Sequence, residues 1–279
     1  MIAVTGATGQ LGGLIVEGLK ARGQEVVALA RDPAKGAGLG VPVRRADYDR
    51  PETLGPALAG VETLMLVSGS EVGSRARQHR AVIDAAMAAG VARIVYTSLL
   101  HADRSAISLA PEHVATEAML AATGLPVTIL RNGWYAENYA SAVAAGLAHG
   151  AMIGAAGEGR ISAAPRAEMA EAAVAVLTTP GHEGRTYEVA GDAGFTLAEL
   201  AAEASRQAGR AVLYQDMAEA DYAQALAGAG LPEPVAAMLA GWDTAIRGGD
   251  LEENGGDLAR LLGRPTASLP AMVASLLPT

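Results

Sequence analysis

The sequence contains no cysteine among its 279 residues, which excludes disulfide bonds, thiolate metal sites and thiol nucleophiles. Lysine is also scarce. Only Lys20 and Lys35 occur, so any mechanism that needs a lysine further along the chain is excluded. No apolar run reaches the roughly 18 residues that span a bilayer, and no basic leader precedes an apolar segment at the start. We expect a cytoplasmic protein without membrane insertion.

The charge balance is acidic, with 30 acidic and 21 basic residues and a net charge of -9. Nucleic acids and anionic membrane surfaces are polyanions, so a chain of this charge is not expected to bind them unaided. Residues of the apolar classes make up 51% of the chain and charged residues 18%, which is typical of a globular protein. A local basic pocket for a small anionic ligand remains compatible with these values.

Short apolar runs alternate with helical patterns through the first half of the chain. Strands are predicted at 2–4, 25–30, 41–45, 63–67, 93–97 and 127–131, with helices at 10–22, 51–59, 75–89 and 112–123. This alternation is typical of a parallel sheet with helices on both faces. We therefore predict an α/β fold with a Rossmann-type doubly wound sheet, whose ligands bind at the carboxyl edge of the strands.

The pattern loosens after residue 131. Residues 150–159 are glycine-rich and are predicted to form a mobile loop. Thr196 and Glu199 have the spacing of a capping box that opens a helix. Strands are predicted at 186–190 and 211–214, and helices at 218–228, 232–245, 257–262 and 266–276. We expect an NADP-binding Rossmann domain over 1–149 and a smaller, mainly helical substrate lobe over 150–279, with some segments of the lobe returning to the sheet.

A glycine motif follows the first predicted strand and opens the first helix. Its glycines are Gly6, Gly9 and Gly12. The first permits a tight turn, the second lets the backbone approach a pyrophosphate, and the third lets the helix pack closely on the strand. Amide groups and the helix dipole then face the phosphates. The motif predicts dinucleotide binding, and the alternative is a tight strand–helix turn that binds no ligand.

The second predicted strand ends at Arg31, followed by Asp32. A domain that prefers NAD usually carries an acidic residue here, which binds the ribose 2′-hydroxyl. A guanidinium can instead bind a 2′-phosphate in bidentate fashion. Lys35 lies one helical turn further on, as a second positive charge or as a solvated surface residue. We predict a preference for NADP(H), and Asp32 keeps binding of NAD open.

Several common catalytic arrangements are missing from the sequence. Tyr96 is followed at the four-residue spacing by Leu100, so the Tyr-x-x-x-Lys pair that protonates carbonyls is absent. There is no G-x-S-x-G elbow, and the five histidines do not have the spacing of a metal site. Hydride transfer that needs little acid catalysis remains. Quinones suit such transfer, because the site has only to position an electrophilic acceptor and exclude water.

Segments along nearly the whole chain resemble the NmrA-like branch of the atypical short-chain dehydrogenase family, and more closely its bacterial NADPH-dependent quinone oxidoreductases of type 2. The resemblance lies in residues 1–12, in 70–73 with Arg75, in 96–103, in 130–135 and 137–139, in 153–157, and in 181–184 with Tyr187. It implies a flavin-free enzyme that passes a hydride directly from NADPH to a quinone.

The resemblance also implies roles for individual residues. The adenosine and pyrophosphate contacts correspond to Gly6, Thr8, Gly9, Gln10, Leu11, Gly12 and Arg31. The ribose and phosphates are expected to pass Ser68, Gly69 and Ser70, with Arg75 nearby, and the nicotinamide ribose to lie close to Thr97 and Ser98. The residues expected at the nicotinamide and the acceptor are Tyr135 and Asn138, with His113 as a third catalytic candidate and no metal ligand.

One position departs from the broader family. Many NmrA-like reductases carry a lysine four residues before a glutamate that corresponds to Glu117, and this chain has His113 there. Ether- or imine-reductase activity that depends on the lysine is therefore not implied. His113 is either a proton donor to the reduced quinone or a solvated residue near a helix N-terminus.

Other candidates carry two interpretations each. His101 is a loop-rim residue or a substrate contact. Of Trp134 and Tyr135 one belongs to the core, and Tyr135 is the better stacking surface for a flat acceptor. Asn138 holds the nicotinamide carboxamide or a quinone oxygen, or it caps the helix near 139–146. The glycine-rich segment 154–159 is a lid over the nicotinamide or an ordinary surface loop.

Three functions are compatible with these features. The first is a two-electron NADPH:quinone oxidoreductase, working as a monomer or homodimer on a small-molecule quinone. The second is a regulatory NADP(H) sensor without turnover, because fold does not fix function. The third is a reductase for another enone or carbonyl compound.

Overall fold

The computed structural model describes residues 1–277. The chain divides into two compact units, each built from several segments. Unit 1 comprises Met1–Ala102, Pro111–Asn132 and Arg166–Tyr187, and unit 2 comprises Asp103–Ala110, Gly133–Pro165 and the residues from Glu188 onward. Both units therefore draw on segments from either side of residue 150. The predicted separation into domains 1–149 and 150–279 stays a prediction.

In the described part of the chain, residues 1–277, nine strands form two sheets. They are β1 (Ile2–Val4), β2 (Val26–Ala30), β3 (Val43–Arg45), β4 (Thr63–Leu66), β5 (Arg93–Leu99), β6 (Val127–Asn132), β7 (Ala151–Gly154), β8 (Thr186–Val189) and β9 (Leu213–Asp216). The larger sheet has the order β3-β2-β1-β4-β5-β6-β8, and the pairs from β3 to β6 are parallel. The predicted Rossmann-type parallel sheet is confirmed, and its strand order reverses between β1 and β4.

Residues 1–277 contain eleven α-helices, of which the last four follow β9. They are α1 (Gln10–Ala21), α2 (Leu54–Leu58), α3 (Arg75–Ala88), α4 (Ala110–Ala121), α5 (Ala140–His149), α6 (Arg166–Thr178), α7 (Leu197–Ala208), α8 (Glu219–Gly228), α9 (Glu233–Arg247), α10 (Asp257–Leu262) and α11 (Leu269–Leu276). Short 3₁₀ turns lie at Pro33–Leu39, Pro51–Thr53 and Ala136–Tyr139. None of the helices in the described range is long and apolar enough to cross a membrane.

The central strands are buried because helices cover the sheet. All residues of β1 and β2 are buried, as the near-continuous apolar runs of a parallel sheet require. On one side the core packs Leu29, Leu64 and Ile94 against Val82 and Ile83 of α3. The predicted strands of the first half therefore agree with the structure to within two residues at each end.

Helix α6 was not predicted from the sequence. Its buried residues include the three successive positions Glu168, Met169 and Ala170, which point to different sides of the helix, so no amphipathic pattern is visible. The helix packs on α1, where a Cβ at Gly18 would meet the Cγ2 atom of Val174 at 2.8 Å. Close packing between these two helices thus depends on a glycine, a contact that local periodicity does not reveal.

The prediction of a mobile loop over 150–159 is wrong for its first half. Ala151–Gly154 forms β7, which pairs in parallel with β9. The strand exists because a partner some sixty residues further along the chain supplies its hydrogen bonds, for example Leu213 N–H donating to the Gly150 carbonyl at 3.0 Å. Glycine content alone indicated a loop, and the pairing overrides it.

The predicted capping box opens α7. Thr196 Oγ1 accepts a hydrogen bond from the Glu199 amide at 3.1 Å, and the Glu199 carboxylate accepts one from the Thr196 amide at 2.9 Å. The prediction is confirmed, and the two reciprocal bonds satisfy amides that the first turn of the helix leaves without an intrahelical acceptor.

We expect Thr196→Ala to lower the free energy of unfolding by about 1 kcal/mol, the usual cost of losing an N-cap oxygen. Urea denaturation followed by circular dichroism would measure the change. Thr196→Ser keeps the oxygen and is the control, expected to stay close to the parent. Equal stability of the alanine and serine variants would contradict a stabilising role for the capping box.

Candidate dinucleotide site

The loop after β1 makes the tight turn that its glycines predicted. Gly6 has φ +58°, and its carbonyl accepts a hydrogen bond from Gly9 N–H at 2.9 Å. A Cβ at Gly12 would overlap the Gly6 carbonyl oxygen and lie 2.7 Å from the carbonyl carbon. The backbone of α1 therefore approaches the loop more closely than any side chain would allow.

The first turn of α1 is open to a ligand. Thr8, Gly9 and Gln10 are exposed, whereas Leu11 is buried and anchors the helix in the core. The amides of the first turn have no acceptor within the helix, and the dipole makes this end positive. A cradle lined by backbone amides and closed to any Cβ fits the diphosphate of NADP(H).

Arg31 directly follows β2 and is mostly exposed. Its Nη1 donates to Oε1 of Glu71 at 2.9 Å. Asp32, which kept NAD binding open in the sequence, has a local structural role, because its carboxylate accepts a hydrogen bond from the Ala34 amide at 3.1 Å and caps the 3₁₀ turn. Lys35 lies exposed on that turn. This corner therefore carries two exposed cations, Arg31 and Lys35, beside the carboxylates of Asp32 and Glu71.

The loop after β4 faces the glycine loop across the point where strand order reverses. A Cβ at Gly6 would meet the Cβ of Val67 at 3.6 Å. Three successive amides of the loop donate to side chains: Val67 N–H to Thr5 Oγ1 at 2.9 Å, Ser68 N–H to Thr97 Oγ1 at 2.9 Å, and Gly69 N–H to His79 Nε2 at 3.0 Å. Ser70, the next residue, is exposed. The loop is therefore held from β1, β5 and α3.

Arg75, the first residue of α3, contacts the same loop. Its side chain is buried, its Nε donates to the Gly69 carbonyl at 2.8 Å, and its Nη1 pairs with Glu112 at 3.1 Å. Glu112 also accepts a hydrogen bond from the Gly73 amide at 3.2 Å. The expected proximity of Arg75 to the loop is present, but its guanidinium binds the protein backbone.

The end of β5 contributes Thr97 and Ser98, both buried. Ser98 Oγ donates to Glu117 Oε1 at 2.5 Å, and Glu117 accepts two hydrogen bonds from Arg131, at 3.0 Å and 2.8 Å. This bidentate ion pair is largely buried and fixes the position of the Glu117 carboxylate. Both hydroxyl groups are thus fixed in place at the ligand edge of the sheet.

His113 is buried on α4, so its interpretation as a solvated residue is wrong. Its Nδ1 lies 2.8 Å from the Tyr96 hydroxyl. Burial, together with the positive charge of Arg75, lowers the pKa of His113 to about 3, and burial raises the pKa of Tyr96 well above its ordinary value. Both groups are neutral at physiological pH, because a helix face that looked solvated packs against β5.

His101 follows β5 and is also buried, which excludes the loop-rim interpretation. Its backbone has φ +52°, in the left-handed region. Within residues 1–277, every other residue with a positive φ is a glycine. Such a conformation costs free energy and persists only where the surroundings impose it. Its role as a substrate contact stays a prediction.

In unit 2 the aromatic residues after β6 have separate roles. Trp134 packs edge-to-face against Trp242 with ring centroids 5.4 Å apart. Tyr135 is partly exposed and bridges to Ala164 through backbone pairing. Asn138 is exposed, and the cap of α5 is Tyr139 without a side-chain bond, so the interpretation of Asn138 as a helix cap is wrong.

The segment after β7 is pinned by side chains. The amide of Ala155 donates to Asp243 at 2.7 Å, that of Ala156 to the Tyr214 hydroxyl at 3.2 Å, and that of Gly157 to Asp216 at 2.9 Å. Burial raises the pKa of Asp243 to about 6. These bonds contradict an ordinary flexible loop over 155–157. The proposed lid role of 154–159 stays a prediction.

Sequence reasoning missed three residues of this edge: Glu71, His79 and Glu112. A signal for His79 was present, since it follows Arg75 by four residues and so shares its face of α3. Glu71 and Glu112 offered no such pattern, because their partners come from other elements. Within residues 1–277, no group of three or more histidine or acidic side chains could hold a metal ion.

Comparison with known proteins agrees with this geometry. Residues 6–180, more than half of the chain, match the family model described as NAD(P)H-binding. Quinone oxidoreductase 2 of Escherichia coli (strain K12) is 51% identical over 281 aligned residues, covering 99% of this chain and 98% of the relative.

Two solved structures are similar over the whole chain. The crystal structure of the Escherichia coli NADPH-dependent quinone oxidoreductase complexed with NADPH has a TM-score of 0.96 at 51% identity, covering 99% of each chain. The Citrobacter sp. triphenylmethane reductase complexed with NADP(H) has a TM-score of 0.93 at 37% identity, covering 99% of this chain and 100% of that one. The resemblance predicted from the sequence is confirmed, and the chain belongs to the NAD(P)H-binding family.

Proposed function

We propose that this chain is an NADPH-dependent quinone oxidoreductase that needs no flavin. The observation that carries the proposal is its 51% identity, over almost its full length, to a quinone oxidoreductase. The glycine cradle at Gly6 and Gly12 supports NADP(H) as the cofactor, as does the exposed guanidinium of Arg31 at the end of β2.

The side chains at the ligand edge suit a reaction with little acid catalysis. When bound, NADPH supplies a hydride to the electrophilic quinone. The chain binds the diphosphate through the first turn of α1 and the 2′-phosphate through Arg31, with Lys35 as a second cation. His113 is neutral, because its pKa lies near 3, so it is not a reservoir of an extra proton at physiological pH. The one proton that formation of the hydroquinone needs besides the hydride then comes from water.

Residues of unit 2 are proposed to face the acceptor. Tyr135 offers a partly exposed ring for stacking on a flat quinone. Asn138 offers an exposed amide that both donates and accepts hydrogen bonds. In unit 1, we propose His113 as a separate catalytic candidate, positioned by its hydrogen bond with Tyr96. Thr97 and Ser98 are proposed to lie beside the nicotinamide ribose.

The substrate is a small molecule. We further propose that the protein works in the cytoplasm, without membrane insertion or nucleic acid, as a monomer or homodimer. The net charge of -9 supports the proposal that polyanions are not its partners.

We expect steady oxidation of NADPH by benzoquinone, without added flavin, at a rate far above the uncatalysed reaction. The absorbance of NADPH would follow the reaction, with and without the purified protein. Tight binding of NADP(H) without turnover would contradict the enzyme and favour a sensor. A panel of enones and other carbonyl compounds in the same assay would reveal a different acceptor.

Arg31→Ala should raise the KM for NADPH roughly ten- to hundredfold, the value of a lost charge-assisted hydrogen bond, and the KM for NADH far less. The cause is the loss of the cation that binds the 2′-phosphate, which NADH lacks. Arg22→Ala, which removes a guanidinium that bonds Thr178 instead, is the matched control and should change neither value. Equal effects of Arg31→Ala on both cofactors would show that Arg31 does not bind the 2′-phosphate.

Gly12→Ala should abolish measurable binding of NADPH in calorimetry, because its Cβ overlaps the Gly6 carbonyl and forces α1 away from the loop. Gly13→Ala is the matched control on the neighbouring residue. Its Cβ would lie 3.5 Å from the Ala7 carbonyl oxygen, which is an ordinary contact, so binding should stay within a few-fold of the parent. Normal binding by the Gly12 variant would mean that the cradle is not the diphosphate site.

A further inference from the structure

We propose that His79 is a positioning residue for cofactor binding: as a neutral hydrogen-bond acceptor it fixes Gly69 and with it the loop that lines the cofactor crevice opposite the glycine cradle. The proposal rests on the proposed binding of NADP(H) at the β1–β4 edge. No contact between His79 and the cofactor is involved, and His79 acts through the backbone of Gly69.

The position of the loop makes it a wall of the crevice. In a doubly wound sheet, ligands bind outside the carboxyl ends of the strands where the order reverses, which here is between β1 and β4. One loop at this point holds Gly6 and the other holds Val67 to Ser70. They approach each other closely at Gly6 and Val67. A displacement of the second loop would therefore change the space available to the ribose and phosphates.

Side chains, rather than the sheet, fix the second loop. The amides of Val67 and Ser68 donate to threonines that end or nearly end neighbouring strands, and the Gly69 amide donates to His79. The two threonine bonds hold the strand end of the loop. Its outer part depends on His79, at the Gly69 amide, and on Arg75, at the Gly69 carbonyl.

The hydrogen bonds also fix the tautomer of His79. An amide can only donate, so Nε2 accepts from Gly69 and carries no hydrogen. The hydrogen of the neutral ring is then on Nδ1, which donates to Thr116 Oγ1 at 3.0 Å. Thr116 Oγ1 in turn donates to the Glu112 carbonyl oxygen at 2.9 Å. Each donor in this series of hydrogen bonds has one acceptor, and every bond is donated in the direction from Gly69 to Glu112.

The surroundings favour the neutral ring. The His79 side chain is completely buried and makes edge contacts with Tyr96 and Tyr48, at centroid distances of 5.5 Å and 6.3 Å. Burial, and then the charge of Arg75, lower its pKa to about 3. A protonated ring would have no acceptor site for Gly69, so the neutral form is the one that holds the loop.

Loss of the acceptor should weaken binding of both cofactors alike. Without it, the Gly69 amide turns toward water in the free protein, since a buried unpaired N–H is costly. Binding must then return the loop to its place. The loop lines the part of the cofactor that NADPH and NADH share, so the ratio of their affinities should not change. This separates His79 from Arg31, which is expected to change that ratio.

Nuclear magnetic resonance on the intact parent protein tests the geometry directly. The nitrogen shifts of His79 at neutral pH should show the Nδ1–H tautomer, and the Gly69 amide should exchange slowly with solvent. An Nε2–H tautomer, a protonated ring or a rapidly exchanging Gly69 amide would overturn the proposal without any substitution.

Calorimetry on variants tests the consequence. His79→Phe keeps a ring and removes the acceptor. It should raise the Kd of both NADPH and NADH roughly tenfold, the cost of losing the hydrogen bond of the part-buried Gly69 amide. Thr116→Val should raise both Kd values by a smaller factor. Thr116→Ser keeps the hydroxyl and should bind both cofactors as the parent protein does. Unchanged Kd values for His79→Phe would overturn the proposal.

A control variant distinguishes displacement of the loop from a general loss of protein stability. Ile83→Ala removes a fully buried side chain of the same helix that lies outside the network, so it should lower Tm with Kd values within twofold of the parent. An equal loss of binding in this control would overturn the role of His79. Failure of the parent protein to bind NADPH at all would instead refute the proposed function.

Discussion

Backbone amides that follow the carboxyl ends of β1 and β4 need hydrogen-bond acceptors. The source of those acceptors differs between the two strands and determines the structure of the cofactor edge. On the β1 side, the glycine turn leaves the first turn of α1 exposed, with amides that have no intrahelical acceptor. On the β4 side, three successive amides are bound by Thr5, Thr97 and His79. One wall of the crevice thus offers donors to an anion, while the other is rigid and already satisfied.

An acidic chain can bind a highly anionic cofactor because the recognition is local. The net charge of -9 acts over distances that salt screens strongly, whereas the backbone amides and the guanidinium proposed to bind the cofactor would act at hydrogen-bond distance. Arg31 is paired with Glu71 at 2.9 Å, but both side chains are substantially exposed. An exposed pair contributes little to stability, so the proposed binding of a 2′-phosphate to Arg31 would break this pair at small cost.

Much of the fold followed from local patterns. The buried runs of β1 and β2 and the glycine turn with its N-terminal helix depend on residues close in sequence. The missed features depend on distant partners. β7 exists because β9 pairs with it, α6 is buried on more than one face, and His113 is buried because α4 packs beside Tyr96. The residue types indicated which side chains could bind a ligand or take part in catalysis. The fold alone determined which of them form hydrogen bonds or ion pairs within the protein.

The buried polar side chains behind the crevice are better explained by their effect on the position of the loop than by a contribution to the stability of the fold. A buried ion pair such as Arg75–Glu112 often adds no stability over apolar residues of similar size, although breaking it is costly. Apolar side chains, however, could not bind the carbonyl and amide of Gly69. A close-packed apolar surface would leave those groups unpaired, at a cost that each polar partner here removes. The same reasoning applies to Glu117, whose carboxylate accepts a hydrogen bond from Ser98 and pairs with Arg131.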